Sequence, residues 1–590
     1  MTDYSAAAET HECDALVIGT GAGGFSAAVT ARKLGLDVLL VEKEAVYGGT
    51  TARSGGWLWI PCSPPARREG VRDSIEAART YLRHEAGNHF DAERVGAFLH
   101  HGPEMVEFFE RETAVRFVLG PAFADYHPDA PGGTPGGRSI CAEPFDAREL
   151  GPEKDRLRPP LREITFLGMM IGTGKELVHF FNATRSVESA AVVARLLARH
   201  GRDVALHGRS MRLTNGNALV GRLAKSAFDL GIPLWTSAPV RELLVEDGAV
   251  RGALVEREGR TVRVRARRGV VLAAGGFPQD AARRRALFRH APTGAEHWSP
   301  APPGNTGDGL RLGEAAGAAV EDRYPNAAAW VPVSLVPRPD GTTGTFPHFV
   351  DRAKPGVIAV TAAGTRFVNE ADSYHDFIQA MVAATEGREH AAWLLCDHAT
   401  LRRYGLGFAK PFPLPLAPYL RSGYLLRGRT LAELASKAGI DAAALERTVA
   451  GFNGPARRGE DPAFGRGRTA YNRSLGDPLV KPNPCVAPLE RAPFYAVKVV
   501  PGDLGTFAGL RGDAHARVLD REGRPIPGLY AAGNDLASVM GGNYPGGGIT
   551  LGPAMTFGYI AARHMAGRAD DAPATEADGD LREREHAAGR

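Results

Sequence analysis

Residues 15–24 read ALVIGTGAGG, and this stretch decides the fold. The apolar residues 15–18 form a strand pattern that stops at Gly19, and an alanine-rich helical stretch follows. Gly19, Gly21 and Gly24 match G-x-G-x-x-G in the strand-to-helix context that this pattern requires. Glycines in such a turn let the backbone approach a pyrophosphate, whose charge the helix N-terminus stabilises. The stretch therefore predicts a dinucleotide site in an α/β fold.

The segment that follows this helix carries a second part of the same pattern. Val38–Val41 is a short apolar run typical of a buried strand, and Glu42 comes directly after it. Glu42 lies 21 residues after Gly21, where a carboxylate can accept a hydrogen bond from a ribose hydroxyl. We interpret Glu42 as the ribose-binding residue.

Further strand patterns occur far along the chain. Residues 241–255 are typical of a hairpin that turns at Asp247-Gly248, and residues 270–274 form a buried strand that ends at glycine. Residues 528–534, near the other end of the chain, again place glycine after a strand. This spacing predicts that a Rossmann-like domain is built from both ends of the chain.

The predicted domain boundaries follow from these patterns. The discontinuous nucleotide-binding domain comprises residues 10–285 and 491–567, and an α+β catalytic domain is inserted over residues 286–490. Residues 568–590 are polar and rich in Ala, Asp and Glu, a composition that predicts a disordered tail.

Composition excludes several classes of function. The 590 residues are 44% hydrophobic and 23% charged, with a formal net charge of +4 and scattered Lys and Arg, so no nucleic-acid partner is expected. No apolar run approaches the roughly 18 residues that span a bilayer, and the N-terminus lacks a basic region before an apolar one. We expect no stable membrane insertion and a cytoplasmic location. The cysteines are dispersed and predict neither disulfides nor a metal site, at Cys13, Cys62, Cys141, Cys396 and Cys485.

Residues 48–56, rich in glycine and hydroxyl side chains, resemble the flavin-contacting loop of the fumarate reductase/3-ketosteroid dehydrogenase superfamily of FAD enzymes. Residues 305–309 and 364–370 resemble further motifs of that superfamily, and the resemblance extends from about residue 14 to 567. It implies FAD as cofactor, bound non-covalently because residues 48–56 contain no histidine. The implied cofactor-binding residues are Gly19, Gly21, Gly23, Gly24, Glu42, Lys43, Gly49, Thr50, Thr51, Ser54, Gly55, Gly56, Val240, Ala274, Gly275, Asp308, Gly533, Asn534, Gly548, Thr550 and Leu551.

Two positions distinguish this chain from fumarate reductases. Their proton-delivering arginine follows the Asn-Glu pair that is Asn369-Glu370 here, and Tyr374 takes its place. Their carboxylate-gripping histidine has no counterpart in residues 502–510. Both differences argue against a dicarboxylate substrate.

Residues 541–555 closely resemble the Tyr-Pro-Gly-x-Gly segment of 3-ketosteroid Δ1-dehydrogenases. By that resemblance the Tyr544 hydroxyl and the Gly548 N–H hold the substrate ketone, and two donors on one carbonyl oxygen stabilise an enolate as it forms. Gly548 is also predicted to begin a helix that runs to Ala566, with its positive end toward the flavin.

The same resemblance makes Tyr374 the candidate base and Tyr126 its assistant. A phenol has a pKa of about 10, so we expect neighbours to lower the pKa of Tyr374. His127 stands where relatives often carry another tyrosine, which leaves the register of Tyr126 open. His375 is interpreted as an ordinary hydrogen-bonding histidine. Residues 164–170 either line an apolar cleft with Phe123 or belong to the core.

The resemblance implies Δ1-dehydrogenation of a 3-ketosteroid or similar apolar cyclic ketone. Tyr374 removes the C2 proton, hydride passes from C1 to flavin N5, and an external acceptor, a quinone or a dye, reoxidises the flavin. The alternatives are a 4-ene-forming ketosteroid dehydrogenase, a fumarate reductase-like reductase of enones or unsaturated acids, and an electron-transferring flavoprotein subunit.

Overall fold

The computed structural model describes residues 9–172 and 174–568. The predicted disordered tail therefore lies, except for Arg568, outside the described residues. Within the described residues no helix is long and apolar enough to cross a membrane.

A mixed eight-stranded sheet forms the centre of the first layer. The Thr10–Ile18 strand lies between Val38–Val41 and Arg260–Leu272, parallel to both, and Pro525–Ala531 pairs in parallel with the end of Arg260–Leu272. The two ends of the chain thus meet in one sheet, as predicted. Its strands are Thr10–Ile18, Val38–Val41, Leu234–Trp235, Val240–Glu246, Ala249–Arg257, Arg260–Leu272, Arg517–Leu519 and Pro525–Ala531.

The second sheet is antiparallel. Its strands are Ala328–Pro337, Thr343–Pro347, Val357–Val360, Ala392–Asp397, Leu426–Gly428 and Phe494–Thr506. The Phe494–Thr506 strand lies inside the segment predicted for the nucleotide-binding domain, yet it pairs with three strands of this second sheet. The division of the chain into domains stays a prediction.

Smaller β elements complete the described structure. Trp57–Trp59, Phe117–Leu119 and Ser139–Ala142 form a three-stranded sheet. The remaining strands pair two by two: Val320–Glu321 with Gly509–Leu510, Phe145–Asp146 with Arg212–Leu213, and Thr165–Phe166 with Met169–Met170.

Helices cover the sheets, and one apolar core connects both main layers. The α-helices are Ala22–Lys33, Pro64–Arg68, Ile75–Ala86, Ala92–Glu112, Lys175–Asn182, Val187–His207, Asn215–Asp229, Ala281–Leu287, Asp308–Ala315, Tyr374–Ala384, His398–Tyr404, Ala417–Arg421, Leu431–Ala438, Ala442–Ala456, Ala470–Leu475 and Leu551–Met565.

The last of these helices begins later than the sequence suggests. The prediction placed its start at Gly548, whereas Leu551–Met565 are helical and Thr550 precedes the first turn. Gly548 has φ +106°, which is not a helical conformation. The glycine turn therefore stands before the helix as a separate feature.

Candidate active site

An elongated cavity lies at the ends of the parallel strands, with about 1040 Å³ of empty space, part of it open to solvent. The glycine turn after the first strand, the Gly49–Ser54 loop and the turn at Gly533 surround it. It is lined by most residues predicted to bind the cofactor: Gly19, Gly21, Gly23, Glu42, Lys43, Gly49, Thr50, Thr51, Ser54, Val240, Ala274, Gly275, Asp308, Gly533, Asn534, Thr550 and Leu551.

Four of the predicted cofactor residues do not line this cavity: Gly24, Gly55, Gly56 and Gly548. A Cβ on Gly24 would lie 1.9 Å from the Gly19 carbonyl oxygen, so this glycine lets the helix approach its own turn. Gly56 has φ +73°, and a Cβ there would meet the backbone of Asn215 at 2.3 Å. For Gly24 and Gly56 the structure supplies a packing reason for glycine.

The turn residue Gly19 fits the requirement for a close backbone approach. Its φ is +106°, and an added Cβ would lie 2.2 Å from the Ala273 carbonyl oxygen. A side chain there would collide with the neighbouring parallel strand and obstruct the cavity. The cavity is thus shaped by bare backbone, as a phosphate-binding turn demands.

Glu42 lies at the predicted ribose position, held by its neighbours. The Thr20 hydroxyl donates to its Oε2 at 2.5 Å, and the Glu44 N–H donates to its Oε1 at 3.0 Å. Burial raises the pKa of this carboxyl, and the hydrogen bonds from Thr20 and Glu44 act against that rise. The carboxylate is fixed and lines the cavity.

Sequence reasoning missed several residues of the cavity wall. Asn305 donates from Nδ2 to the Thr50 hydroxyl at 2.9 Å and joins two loops across the cavity. Lys43 and Asp308, both predicted as ligands, form an ion pair with each other. Arg158 also lines the cavity, without any motif to indicate it. These contacts form only when loops distant in sequence meet.

Four tyrosines meet in one buried cluster, which we call the tyrosine cluster: Tyr126, Tyr374, Tyr471 and Tyr544. The Tyr126 hydroxyl donates to the Tyr374 hydroxyl at 2.8 Å. The Tyr544 ring stacks on the Tyr126 ring with centroids 5.3 Å apart and lies 5.0 Å from the Tyr374 ring. The structure therefore brings the three tyrosines predicted as catalytic together. Tyr471, 4.6 Å from the Tyr126 ring, was not predicted.

Burial disfavours the charged form of the phenols in this cluster. Burial raises the pKa of Tyr126 and of Tyr374 well above the usual value, and it raises the pKa of Tyr544 to about 12. The expectation that neighbours lower the pKa of Tyr374 is wrong for the protein alone, because desolvation is the largest effect.

Gly548 presents an N–H that donates to no described residue, while its carbonyl accepts from the Trp59 N–H at 3.1 Å. A Cβ on Gly548 would lie 2.5 Å from the Trp59 nitrogen, so only glycine fits. Thr550 and Leu551, just beyond it, line the cavity described above. In the chain, this free donor therefore lies between Tyr544 of the tyrosine cluster and two residues that line the cavity.

His375, next to Tyr374, is fully buried and neutral. Its Nδ1 accepts from the Trp330 N–H at 3.1 Å, and Nε2 has no hydrogen-bond partner in the described chain. Burial lowers the pKa of His375 to about 4. A histidine that is neutral at physiological pH adds no charge to the tyrosine cluster.

A second polar group holds the segments that carry the tyrosines. His127 bridges Glu85 at 2.9 Å and Asp376 at 2.8 Å, and Asn543 donates from Nδ2 to the same glutamate at 2.8 Å. Three of these four residues lie one or two positions in the chain from a tyrosine of the cluster: His127 from Tyr126, Asp376 from Tyr374, and Asn543 from Tyr544. We call this group the Glu85 clamp (Glu85, His127, Asp376 and Asn543). Burial lowers the pKa of His127, but the two carboxylates outweigh it and raise that pKa to about 10.

Aromatic side chains flank the tyrosine cluster. The Phe349 ring lies 5.4 Å from the Tyr374 ring. The Phe123 ring packs 4.7 Å from that of Trp57, and a Cβ on Gly547 would lie 2.2 Å from Phe123. Phe123 thus adjoins the Gly548 turn.

The segment 164–170 is partly buried. Met169 and Met170 are buried and Leu167 is exposed, and the role of this segment in an apolar cleft stays a prediction.

Comparison with known proteins identifies the cofactor. A family model described as FAD binding domain matches residues 14–551. The chain belongs to that family. It is an FAD-dependent oxidoreductase that acts on CH–CH groups, and the glycine-lined cavity fits its FAD.

Relatives resemble this flavoprotein over nearly its whole length. The 4-oxocyclohex-2-ene-1-carboxylate 5-dehydrogenase of Sinomonas cyclohexanicum is 44% identical over 95% of this chain and 94% of the relative. The 3-oxosteroid 1-dehydrogenase of Mycobacterium tuberculosis is 40% identical over 95% of this chain and 99% of the relative. The crystal structure of 3-ketosteroid Δ1-dehydrogenase from Sterolibacterium denitrificans in complex with 1,4-androstadiene-3,17-dione has 38% identity and a TM-score of 0.88, covering 95% of this chain and all of that one.

The first prediction concerns how FAD is held. Acid precipitation of the purified flavoprotein is expected to release all flavin as FAD, because residues 48–56 contain no histidine for a covalent bond. Glu42→Ala is expected to weaken FAD binding about 10- to 100-fold, since one charge-assisted hydrogen bond is worth roughly 1.5–3 kcal/mol. Equilibrium dialysis measures the affinity. Flavin that stays in the acid pellet would contradict non-covalent binding.

The second prediction concerns the Glu85 clamp. The folded protein raises the pKa of His127 to about 10, above the ordinary value of about 6.5. The clamp therefore stabilises the fold fully below about pH 6.5 and loses its effect as the pH rises toward 10. We expect the free energy of unfolding of the wild type to fall over this range and that of His127→Gln to fall less. Denaturant titrations at several pH values measure the difference.

A matched control for the clamp lies on the same helix. Glu76 is exposed and, among the described residues, forms an ion pair with Arg79 alone, so Glu76→Gln is expected to keep the wild-type dependence on pH. Equal slopes for wild type and His127→Gln would show that the clamp does not contribute as described.

Proposed function

We propose that this flavoprotein introduces a C=C bond next to a ring ketone, with Δ1-dehydrogenation of a 3-ketosteroid as the first candidate reaction. One observation carries the proposal: the hydroxyls of Tyr126 and Tyr374 are hydrogen-bonded beside Tyr544, next to the unpartnered Gly548 N–H and the FAD cavity. The 40% and 38% identical steroid dehydrogenases support the choice of substrate.

In this proposal Tyr544 and Gly548 bind the ketone oxygen. Both are donors, and Gly548 donates to no described residue in the protein alone. Two donors on one oxygen stabilise the negative charge that collects there when the neighbouring C–H bond breaks. The resulting rise in acidity of the C2 hydrogen is what allows a tyrosine to remove it.

Tyr374, once ionised, takes the C2 proton and becomes a neutral phenol, and Tyr126 stabilises the receiving oxygen through its hydrogen bond of 2.8 Å. The electron pair of that C–H bond forms the new C=C bond while a hydride leaves C1 with its two electrons. FAD, when bound, supplies the hydride acceptor, and an external quinone or dye removes the electrons afterwards. Water is excluded because the tyrosine cluster is buried.

A smaller keto acid is the second candidate substrate. The 44% identical relative is named for a 4-oxocyclohexene carboxylate. Lys410 supports it: its Nζ lies 5.4 Å from the Phe408 ring centroid and 5.7 Å from that of Phe346, without an ion pair to any described carboxylate. Residues 346–349 connect Phe346 to Phe349, the ring that packs on Tyr374.

Fumarate reductases carry their carboxylate-binding histidine in the segment that corresponds to residues 502–510 here. The contacts of this segment do not favour fumarate reduction. His297, from outside this segment, does contact Asp503 within it, but both ring nitrogens of His297 are already hydrogen-bonded. Nδ1 is hydrogen-bonded to His290 at 2.9 Å and Nε2 to Asp503 at 2.7 Å. This histidine has no atom left to bind a dicarboxylate. A 4-ene-forming reaction and a role as electron-transferring subunit remain alternatives that turnover assays distinguish.

The third prediction separates the base from the ketone donor. Tyr374→Phe is expected to slow flavin reduction by substrate about 10²–10⁴-fold, the usual effect of a positioned base, with substrate affinity near wild type. Tyr544→Phe is expected to lose affinity and rate together, because a donor to the developing oxyanion is missing. Anaerobic stopped-flow spectroscopy of the flavin gives both quantities. A Tyr374→Phe rate within tenfold of wild type would place the base elsewhere.

The fourth prediction distinguishes the substrates. We expect a 3-ketosteroid to bleach the flavin anaerobically and reduced dye with fumarate to give no turnover. If the keto acid is the substrate instead, 4-oxocyclohexanecarboxylate bleaches the flavin, and its neutral methyl ester reacts at least tenfold more slowly than the acid, because the ester lacks the charge that Lys410 would pair. Robust fumarate reduction would contradict both candidates.

A further inference from the structure

Arg352 is a fully buried arginine without a carboxylate partner among the described residues. Its Nε donates to the His348 carbonyl at 3.3 Å and its Nη1 to the Glu370 carbonyl, while Nη2 has no hydrogen-bond partner. The other large arginines that are fully buried differ: Arg138 and Arg466 each form an ion pair with a buried carboxylate. A buried cation left without a counterion is costly, so its position calls for an explanation.

The guanidinium lies beside the tyrosine cluster. It is 5.8 Å from the centroid of Phe377, which follows Tyr374 by three residues on the same helix and so shares its face. In the chain, Arg352 follows Phe349 by three residues, and the Phe349 ring packs on Tyr374. One contact of Arg352 and one contact of its chain neighbour Phe349 thus bring this cation to the helix turn that carries the proposed base.

The electrostatic effect of Arg352 opposes that of burial. Burial raises the pKa of Tyr126 and of Tyr471, and the charge of Arg352 acts to lower both. The other charged or titratable groups near Arg352 and the cluster have partners of their own or carry no charge. Asp351 pairs with His348, His127 pairs with Asp376, Asp372 accepts from Asn472, and His375 is neutral.

We propose that Arg352 is a positioning residue that holds a negative charge on the tyrosine cluster, so that Tyr374 meets the substrate as a phenolate. This inference rests on the proposed function, because it concerns the base of that reaction. Before the substrate binds, the Tyr374 O–H bond breaks and its proton passes to bulk water. The phenolate oxygen then takes the C2 proton, which returns the cluster to its neutral form. Arg352 touches neither substrate nor flavin in this scheme.

The test uses the FAD-loaded protein and three variants. Arg352→Gln removes the charge, and Arg352→Lys keeps it. Arg284→Gln is the matched control, because Arg284 is also buried and bonded to backbone carbonyls, those of Pro278 and His297, away from the tyrosines. The rate of flavin reduction by substrate is measured anaerobically as a function of pH. The ultraviolet absorbance of tyrosinate is titrated without substrate, as the difference from the same protein carrying Tyr374→Phe.

We expect the rate of the wild type to rise with pH as the phenol ionises. In Arg352→Gln the midpoint of this rise, and that of the tyrosinate titration, are expected to move upward by about one pH unit or more, the effect of removing an opposite charge nearby. Arg352→Lys is expected to keep the midpoint near wild type, and Arg284→Gln to keep it unchanged. A uniform loss of rate in Arg352→Gln with an unmoved midpoint would overturn the proposal and leave Arg352 a structural role.

Should Arg352→Gln fail to retain FAD, Asp372→Asn provides the same test with the opposite sign. Removing an anion beside the cluster is expected to move both midpoints to lower pH, and unmoved midpoints would overturn the proposal. The tyrosinate titration needs no turnover. If the wild type oxidises no cyclic ketone, the proposed function fails, while that titration still decides the role of Arg352.

Discussion

The site depends on a hydrogen bond between two phenols that are 248 residues apart in the chain, Tyr126 and Tyr374. Both are buried, so no water competes for it, and any shift of either backbone would leave a hydroxyl unpaired. Other bonds prevent such a shift. The Pro545 carbonyl accepts from the Tyr126 N–H at 2.8 Å and from the Tyr81 hydroxyl at 2.6 Å, which fixes the Tyr126 and Tyr544 segments together.

Local patterns in the sequence were enough to predict the nucleotide-binding sheet, because each pattern is complete within a few residues. The strand, glycine turn and helix over residues 15–33 need no distant contact to be recognised. The Phe494–Thr506 strand is different. An apolar run reads the same whichever sheet it joins, and its pairing with Ala328–Pro337 and Ala392–Asp397 is set by tertiary structure. Sequence patterns alone therefore do not show which sheet this strand joins.

The candidate site, too, was predictable from local sequence patterns only in part. The loops rich in glycine and hydroxyl side chains were enough to predict most residues of the FAD cavity. The family resemblance indicated three of the four tyrosines. Tyr471 lies in a helix of six residues with no motif, and Glu85 lies in the last turns of an otherwise ordinary amphipathic helix. Their importance arises only from what they touch. Arg352 is a further case, since an arginine in a one-turn 3-10 helix is normally expected to be exposed.

The remaining question is how a cluster of buried phenols can hold a base at all, since desolvation favours the protonated form. Tyr374 is the first residue of its helix, where the unpaired N–H groups and the helix dipole favour negative charge. Two carboxylates lie in the preceding segment: Glu370 is neutralised by Arg366 and Arg466, and Asp372 accepts a hydrogen bond from Asn472. Arg352 adds a positive charge that forms no ion pair within the described residues, and it also acts on the nearby carboxylates Asp351 and Asp372. The protein thus combines a low-dielectric site with a helix N-terminus and a buried guanidinium, two features that favour negative charge on a phenol of the cluster.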